Sequence, residues 1–497
     1  MSIAVRRPAS DRAADPWAVL VVVCFAQFMV VLDATIVNVA LPSIDRGLSL
    51  SPDNLQWVIN AYSLTVGGFL LLGGRAGDLL GRKRVFMAGL VLFTTASLAN
   101  GLATSSLVLI MGRAVQGIGG ALLVPAVLAI LTTSFASALD REKALAVWSA
   151  ISATGGAVGL LLGGVLTGAL SWRWIFLVNV PVGALVMLAT IKIVPESRAA
   201  DSERGFDAAG ATLVTAGLGL FVFGIVKSQT WGSGSARTWA PMVGGLVLIA
   251  AFLALERRSS APLMRLGIFR TPGLGPAAGI QVLTSGAAIA TFFFVSLYVQ
   301  QVLGYRPFSG GLALLPFSAG IVSGAAIARK AVPNVGPRSV ALVGIAIGFS
   351  GLLVLSRVPV DGHYLSDVIT GVLPLSLGLG LTFLPITLIA TNRVDAHDAG
   401  LASGIVNTAQ QMGATVGLAV LSTLAAGRAL HGADSRTLRL GGYHLAFAGA
   451  AGFLSVAWLI AAFVLRSQQE GATGEEVQRD KAAQAAACAQ QVPGAIR

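Results

Sequence analysis

The sequence has little charge for its length. Asp, Glu, Lys and Arg make up 11% of the 497 residues, whereas a soluble globular protein carries about 25%. A chain of this size folded in water would need far more charge on its surface. The apolar residues, 55% of the total, instead form runs of about 17–27, long enough to cross a hydrocarbon core of about 30 Å as helix. The composition therefore excludes an ordinary soluble protein and predicts helices that span a membrane.

Cysteines and nucleotide-binding motifs are also scarce. The two cysteines are Cys24 in the first apolar run and Cys488 in a polar tail, so we expect no disulfide, and no metal-ligand spacing occurs. The chain lacks the G-x-x-x-x-G-K-S/T loop that binds nucleotide phosphates. We therefore expect no metal, no cofactor and no enzymatic activity.

Fourteen apolar runs are predicted as membrane-spanning helices, because backbone groups without access to water must bond within the spanning structure. None of the runs alternates polar and apolar residues as a membrane β-strand does. The first run is too long for a signal-peptide core and is predicted to be retained. In order, the predicted helices span residues 17–39, 55–74, 85–103, 107–131, 144–170, 174–194, 208–226, 239–255, 275–299, 310–328, 339–355, 367–390, 400–426 and 443–465.

The 34 Lys and Arg residues are distributed unevenly between the loops on the two sides of these helices. Arg113 lies inside a predicted helix. Of the others, 24 lie in segments on the same side of the membrane as the N-terminus, and nine lie in loops on the opposite side. Because basic loops mark the cytoplasmic side of a membrane protein, we expect both termini in the cytoplasm. We attribute the net charge of +12 to these loops and expect no nucleic-acid partner. The nine opposite residues are Arg46, Arg173, Lys227, Arg237, Arg306, Arg357, Arg428, Arg436 and Arg439.

The helices group as six, two and six, which indicates an all-α integral membrane protein with two six-helix bundles and a central two-helix insert. Such duplication is typical of transporters whose binding site lies between the halves at mid-membrane. The predicted divisions are a cytoplasmic N-terminal tail (1–16), a first bundle (17–194), the insert with its linkers (195–274), a second bundle (275–466) and a disordered cytoplasmic tail (467–497).

One acid and one base lie deep inside predicted helices, Asp33 in the first and Arg113 in the fourth. An ionisable residue in the bilayer is costly and marks a functional site by default. Burial favours the neutral form of a carboxyl group and a nearby arginine favours the charged form, so an acid moved between these surroundings can bind and release a proton. We predict proton coupling through Asp33 and Arg113. The alternative is that the two residues only satisfy a buried polar network.

The segment GGRAGDLLGRKR (73–84) connects the second and third predicted helices. Asp78 is predicted to lie just before the third helix and to meet the unbonded amides at its start, and the glycines allow a tight turn. The pattern fits a basic anchor, or a conformational latch whose ion pairs form in one access state and break in the other. We favour a latch formed by Gly74, Asp78, Gly81, Arg82 and Lys83.

The fifth predicted helix carries glycines at four-residue spacing, which lets neighbouring helices approach closely in lipid. The glycines serve packing alone, or they form a surface that bends or slides between access states. The residues concerned are Gly155, Gly159, Gly163 and Gly164.

A binding cavity at mid-membrane should be apolar with a few polar side chains. Six polar residues within the predicted helices are candidates for its lining, although each can instead bond a neighbouring helix. They are Asn38, Asn60, Gln116, Gln281, Asn407 and Gln411.

These segments together resemble the fourteen-helix drug:proton antiporter branch of the major facilitator superfamily, over roughly residues 17–465. LDATIVNVALP around Asp33 resembles the first-helix signature of that branch, GRAGDLLGRKR the superfamily's loop signature, and RAVQGIGGA around Arg113 its fourth-helix signature. SWRWIFLVNVPVG (171–183) resembles the segment that enters the sixth helix. The branch usually has Gly-Pro in the fifth helix, where this chain has Gly159 and Leu160, so no proline kink is expected there.

The resemblance implies a major-facilitator-type fold in the bacterial plasma membrane, and we expect a monomer. It implies export of an amphiphilic small molecule, such as an antibiotic, in exchange for protons, which confers resistance. Asp33 would be the proton-linked acid, and Arg113 and Gln116 would take part in proton transfer. The scarcity of buried acids favours a neutral or weakly charged substrate, or a cation that competes with the proton. A proton-coupled symporter that imports a metabolite is the alternative function, and a receptor without transport is a third.

Overall fold

The computed structural model describes residues 15–50, 52–135, 137–198, 208–232, 234–259, 266–392, 394, 399–426 and 435–465. Within these ranges the chain forms fourteen long helices and no β-strand. The predicted tails, except for residues 15 and 16, and the middle of each linker that flanks the insert lie outside the described residues. The helices are α1 (Pro16–Leu48), α2 (Pro52–Leu80), α3 (Arg82–Gly101), α4 (Ser106–Ser134), α5 (Ala138–Ala169), α6 (Trp174–Ile193), α7 (Ala208–Trp231), α8 (Ala236–Arg258), α9 (Leu274–Val302), α10 (Pro307–Val335), α11 (Pro337–Leu355), α12 (Tyr364–Thr391), α13 (Ala399–Ala426) and α14 (Ser435–Leu459, continued by a π-helical turn to Val464).

Thirteen of these described helices are long and apolar enough to cross a membrane. The remaining one, α13, is 28 residues long, but its mean hydropathy is lowered by Asn407, Gln410 and Gln411. It nevertheless packs between α2, α9 and α14, inside the group of spanning helices. The chain is therefore a multi-pass membrane protein, as the sequence predicted.

The first helix shows how local sequence sets the ends of an element. The side chain of Asp15 accepts a hydrogen bond from the Trp17 amide, and Pro16 occupies the first helical position, where its missing N–H is not needed. The helix then continues through Pro42 to Leu48, nine residues beyond the predicted end at 39. An internal proline removes one backbone hydrogen bond, and the tertiary contacts around α1 keep the helix intact across it.

The first six and the last six helices repeat one packing pattern with an offset of eight helices. In the first six, α1 packs on α5, α2 on α4, and α3 on α4 and α6. In the last six, α9 packs on α13, α10 on α12, and α11 on α12 and α14. We call these two groups the N-half and the C-half. The repeat supports the predicted internal duplication.

The two halves meet along two seams, one between α2 and α13 and the other between α5 and α10. Helix α7 of the insert packs on both α2 and α13, and α8 packs mainly on α7. The Thr423 hydroxyl of α13 donates to the Ile225 carbonyl of α7 at 3.2 Å. The described part of the insert therefore covers the first seam. We name the two ends of the bundle by their turns: the Ser49 end, where α1 meets α2, and the Gly81 end, where α2 meets α3.

Candidate functional site

Asp33 of α1 and Arg113 of α4 form a buried ion pair inside the N-half. Asp33 is 0% exposed and Arg113 1% exposed, and Arg113 Nη1 lies 2.5 Å from Asp33 Oδ2. The sequence did not show whether Asp33 and Arg113 are in contact, and in the structure they are. An arginine is the base best suited to a buried pair, because its planar guanidinium remains charged and supplies several donors.

Two amides complete the hydrogen bonds of the Asp33 carboxylate. Gln116 Nε2 donates to Asp33 Oδ1 at 2.8 Å and Asn179 Nδ2 donates to the same oxygen at 2.9 Å. Ser97 Oγ accepts from Gln116 Nε2 at 2.7 Å, and Asn100 Nδ2 donates to Gln116 Oε1 at 2.9 Å. We call this set the Asp33 network; it comprises Asp33, Ser97, Asn100, Arg113, Gln116 and Asn179.

Arg113 is held on its other side by α2 and α6. Its Nε donates to the Val58 carbonyl at 3.0 Å, and its guanidinium carbon lies 4.2 Å from the centre of the Tyr62 ring and 5.8 Å from that of Phe176. These rings attract the cation and keep water from it. The close approach of α2 and α4 depends on Gly117, since a Cβ there would lie 2.5 Å from the Tyr62 carbonyl oxygen.

The sequence analysis identified three of these six residues and missed Ser97, Asn100 and Asn179. Gln116 was predicted to line the cavity and, through the resemblance, to take part in proton transfer. It contacts Asp33 and Arg113, and both roles stay predictions. Asn179 lies in the SWRWIFLVNVPVG segment, and a lone amide in an apolar stretch was a signal that could have found it. Ser97 and Asn100 carry no comparable signal.

The predicted position of Asp78 is wrong. The residue lies in the last turn of α2, where it pairs with Arg82 at 3.3 Å. The first turn of α3 is instead met by Glu196, which follows α6: its Oε1 accepts from the Lys83 amide at 3.1 Å. The sequence could not indicate this, because Glu196 is 113 residues away along the chain. The latch role of Asp78, Arg82 and Lys83 stays a prediction.

The turn between α2 and α3 depends on Gly81, which has φ +107°. L-residues rarely adopt this conformation, and a Cβ here would lie 2.6 Å from Glu196 Oε1. Gly74, the other predicted glycine of the latch, has only Pro125 near its Cβ position, at 3.6 Å. Only Gly81 is therefore required by the turn itself.

The predicted glycines of α5 face two different neighbours. A Cβ on Gly159 would overlap the Thr35 hydroxyl of α1, and one on Gly163 would lie 2.9 Å from Ile36 of α1. Gly155 also faces α1, at 3.3 Å from Val31. Gly164 faces α10 of the C-half, 2.8 Å from the Phe308 Cα. These glycines pack α5 on α1 within the N-half and on α10 across the second seam.

The remaining cavity candidates are dispersed. Asn38 donates to the Ala34 carbonyl of its own helix at 3.0 Å, and Gln281 donates to Ser285 of its own helix at 3.3 Å. Asn60 is fully buried, and neither polar atom of its side chain has a partner among the described residues. Asn407 is exposed and Gln411 is partly buried on α13. Among the described residues, no hydrogen bond joins Asn38, Asn60 or Gln281 to the Asp33 network.

A hydrogen-bonded contact joins the two halves near the Ser49 end. Pro42 has no N–H to donate to the Asn38 carbonyl four residues earlier. Ser296 Oγ of α9 donates to that carbonyl at 2.9 Å, and Gln300 Nε2 donates to the next one, of Val39, at 3.2 Å. We call this contact the α1–α9 clasp. The proline therefore exposes an acceptor on α1 that the opposite half binds.

Comparison with known proteins agrees with this architecture. The model of the Major Facilitator Superfamily matches residues 23–418. The chain is 40% identical to the cephamycin export protein CmcT of Amycolatopsis lactamdurans over 82% of its length and 84% of the relative. It is 36% identical to the puromycin resistance protein pur8 of Streptomyces alboniger over 93% of its length and 94% of the relative.

Solved structures show the same fold. A bacterial homologue of the human lysosomal transporter Spinster, in an inward-facing and unoccupied conformation, aligns with a TM-score of 0.64 at 14% identity. The alignment covers 93% of this chain and 99% of that one. The duplicated helix packing, the family match over most of the chain and the relatives together show that this protein is a transporter, not an enzyme, and that it belongs to the Major Facilitator Superfamily.

Proposed function

We propose that the protein exports an amphiphilic small molecule, such as an antibiotic or another secondary metabolite, across the bacterial plasma membrane in exchange for protons, and so confers resistance. The observation that carries proton exchange is the Asp33 network. The carboxylate is completely buried, is balanced by one arginine and contacts N–H donors from two further side chains. A pair of this kind adds little to stability compared with apolar residues of similar volume, which supports a functional role.

The orientation follows from the distribution of charge. We place the basic Gly81 end and both termini in the cytoplasm. The α1–α9 clasp and the contact of Gly164 with Phe308 then lie on the outer side. These contacts close the arrangement on the outer side.

The relatives support the class of cargo. The first is named for export of cephamycin and the second for resistance to puromycin. The Asp33 carboxylate is already engaged by Arg113, Gln116 and Asn179, so a cationic substrate would have to displace these donors. This favours a neutral or weakly charged cargo.

A proton supplies enough free energy for this task. One charge that crosses 100 mV contributes about 2.3 kcal/mol, and one pH unit adds about 1.4 kcal/mol. One proton per cycle therefore sustains a gradient of a neutral substrate of roughly several hundred-fold.

The test uses inside-out membrane vesicles from a host without other exporters, with radiolabelled puromycin and a cephamycin assayed in parallel. An acidic lumen should drive accumulation of at least one compound, and a proton ionophore should abolish it. Asp33→Asn should reduce accumulation to the level of empty vesicles. Asp140→Asn is the matched control, because Asp140 is a partly exposed acid and its ion pair among the described residues is with Lys143.

Full accumulation by Asp33→Asn would overturn the role of Asp33. Accumulation driven only by an alkaline lumen would replace the exporter with a symporter.

A further inference from the structure

The hydrogen bonds around Asp33 fit the ionised carboxylate. Its two oxygens contact Arg113 Nη1, Gln116 Nε2 and Asn179 Nδ2. All three are N–H donors, so the carboxylate acts only as an acceptor. Once protonated, a carboxyl group has one O–H that needs an acceptor. In a fully buried site, an unbonded O–H is unfavourable, so a neighbour must change its orientation when the proton binds.

Arg113 cannot be that neighbour, since a guanidinium has donors and no acceptor. Gln116 has a carbonyl oxygen, but Arg113 Nη1 donates to it at 2.8 Å and Asn100 Nδ2 at 2.9 Å. Rotating the Gln116 amide by half a turn would break both bonds and place its N–H groups against two donors. Gln116 is therefore fixed as a donor to Asp33.

Asn179 is held differently. Its Nδ2 donates to Asp33 Oδ1 at 2.9 Å and, more weakly, to Ser97 Oγ at 3.4 Å. Its Oδ1 accepts no hydrogen bond from the residues that the structure describes. Rotating the Asn179 amide by half a turn therefore breaks no hydrogen bond to its own Oδ1. The rotation places that carbonyl oxygen where Nδ2 now contacts Asp33.

We infer that Asn179 is the positioning residue that satisfies both protonation states of Asp33: it donates to the carboxylate and, after its amide rotates, accepts from the carboxylic acid. The inference rests on the proposed proton exchange and deepens it. The step is a proton binding to Asp33 Oδ1 and a rotation of the Asn179 side chain. The rotation breaks the hydrogen bonds that Asn179 Nδ2 donates to Asp33 and Ser97, and no other covalent bond forms or breaks. Because Asn179 begins the long segment of α6 and Asp33 lies on α1, the rotation occurs where these two helices meet.

The experiment is infrared difference spectroscopy of the purified protein in lipid, recorded as the pH is lowered. It needs no substrate. The wild type should gain a carboxylic acid C=O band, and Asp33→Asn should lose it. The same spectrum should contain a paired change in an asparagine side-chain amide band, identified by isotope labelling of asparagine. In Asn179→Leu the acid band should persist at a higher frequency while the amide band disappears.

Thr190→Val is the control for the same helix, because the side chain of buried Thr190 bonds, within the described ranges, to the Val186 carbonyl of α6 alone. Both bands should remain in this variant. The labelled wild type answers the question even if Asn179→Leu does not fold. An acid band without an amide change, or an amide change that survives in Asn179→Leu, would overturn the inference and leave proton exchange intact. Absence of the Asp33 acid band would overturn the proposed proton exchange itself.

A transport readout separates positioning from structure. Proton-driven accumulation of the compound that the wild type transports should fall about fivefold in Asn179→Leu, the effect of losing one hydrogen bond. Exchange of that compound at equal pH on both sides, which needs no change in the protonation of Asp33, should be unchanged. An equal loss in both assays would show a purely structural role.

Discussion

The N-half and the C-half share a helix packing pattern, but among the described residues only the N-half buries a charged pair. Its Asp33 network lies between α1, α3, α4 and α6. In the C-half the corresponding helix, α9, buries uncharged polar residues instead: Gln281, Thr284, Ser285, Thr291 and Ser296. The same packing is thus obtained with and without buried charge. The fold does not require the ion pair, which supports a role for it in transport.

The two halves also share their glycines. In the C-half a Cβ on Gly413 of α13 would lie 2.5 Å from the Cα of Val282 on α9, as Gly159 of α5 faces Thr35 of α1 in the N-half. The α2–α3 and α10–α11 turns each contain one glycine with positive φ, Gly81 at +107° and Gly336 at +79°. Close packing and tight turns are therefore the duplicated features, and the buried charge is not.

The largest effect is expected when the buried pair is broken. Arg113→Met leaves the buried Asp33 without its balancing charge and should lower the free energy of unfolding by about 3–5 kcal/mol. Gln281→Leu is the matched change in the C-half. It should have a small effect, because Gln281 Oε1 has no partner among the described residues. Thermal unfolding in detergent measures both variants. Equal losses of stability would mean that the buried ion pair of the N-half matters no more to folding than Gln281 of the C-half.

A smaller effect is expected at the two turns. Gly81→Ala and Gly336→Ala should each lower stability by about 1–3 kcal/mol, because an L-residue is strained at positive φ. The loss should be larger at Gly81, where the added Cβ also meets Glu196, whereas nothing lies within 4 Å of the Cβ position at Gly336. Thermal unfolding in detergent compares the stability of the two variants. A larger loss at Gly336 would contradict the contact with Glu196.

The smallest effect is expected at the α1–α9 clasp. Ser296→Ala removes one hydrogen bond between the halves, worth about 1 kcal/mol, and should shift the population roughly fivefold away from the arrangement closed at the Ser49 end. Spin labels at Ser43→Cys and Ser309→Cys, without the native cysteines, report the distance between α1 and α10 there. Ser350→Ala is the control, since in the part of the chain that the structure describes the Ser350 hydroxyl bonds within α11 alone. An unchanged distance distribution in Ser296→Ala would show that the clasp does not hold this end closed.

Much of the fold could be predicted from the sequence. Long apolar runs predicted every helix, because membrane-spanning segments must be apolar along their whole length. The predicted ends were less accurate: α1 continues past Pro42 and α10 extends to Val335, since contacts between helices stabilise turns that the local sequence does not favour.

The site was predicted in part. Asp33 and Arg113 were found because a charge in an apolar run is conspicuous. Ser97 and Asn100 were not, because uncharged polar residues are common in membrane helices and only their distance from Asp33 distinguishes them. Asn179 was overlooked, although it is a lone amide in an apolar stretch. Glu196 was missed because its contact with Lys83 joins positions far apart along the chain.

The sequence by itself determined that the chain spans a membrane many times and that Asp33 and Arg113 lie at membrane depth. Both conclusions follow from the cost of placing polar groups in hydrocarbon, a property of composition and spacing. The tertiary structure alone decided that the two residues pair, that Gln116 and Asn179 complete the carboxylate, and that Ser296 binds the carbonyl exposed by Pro42. Those contacts depend on distances between separate helices, which packing sets and local sequence does not.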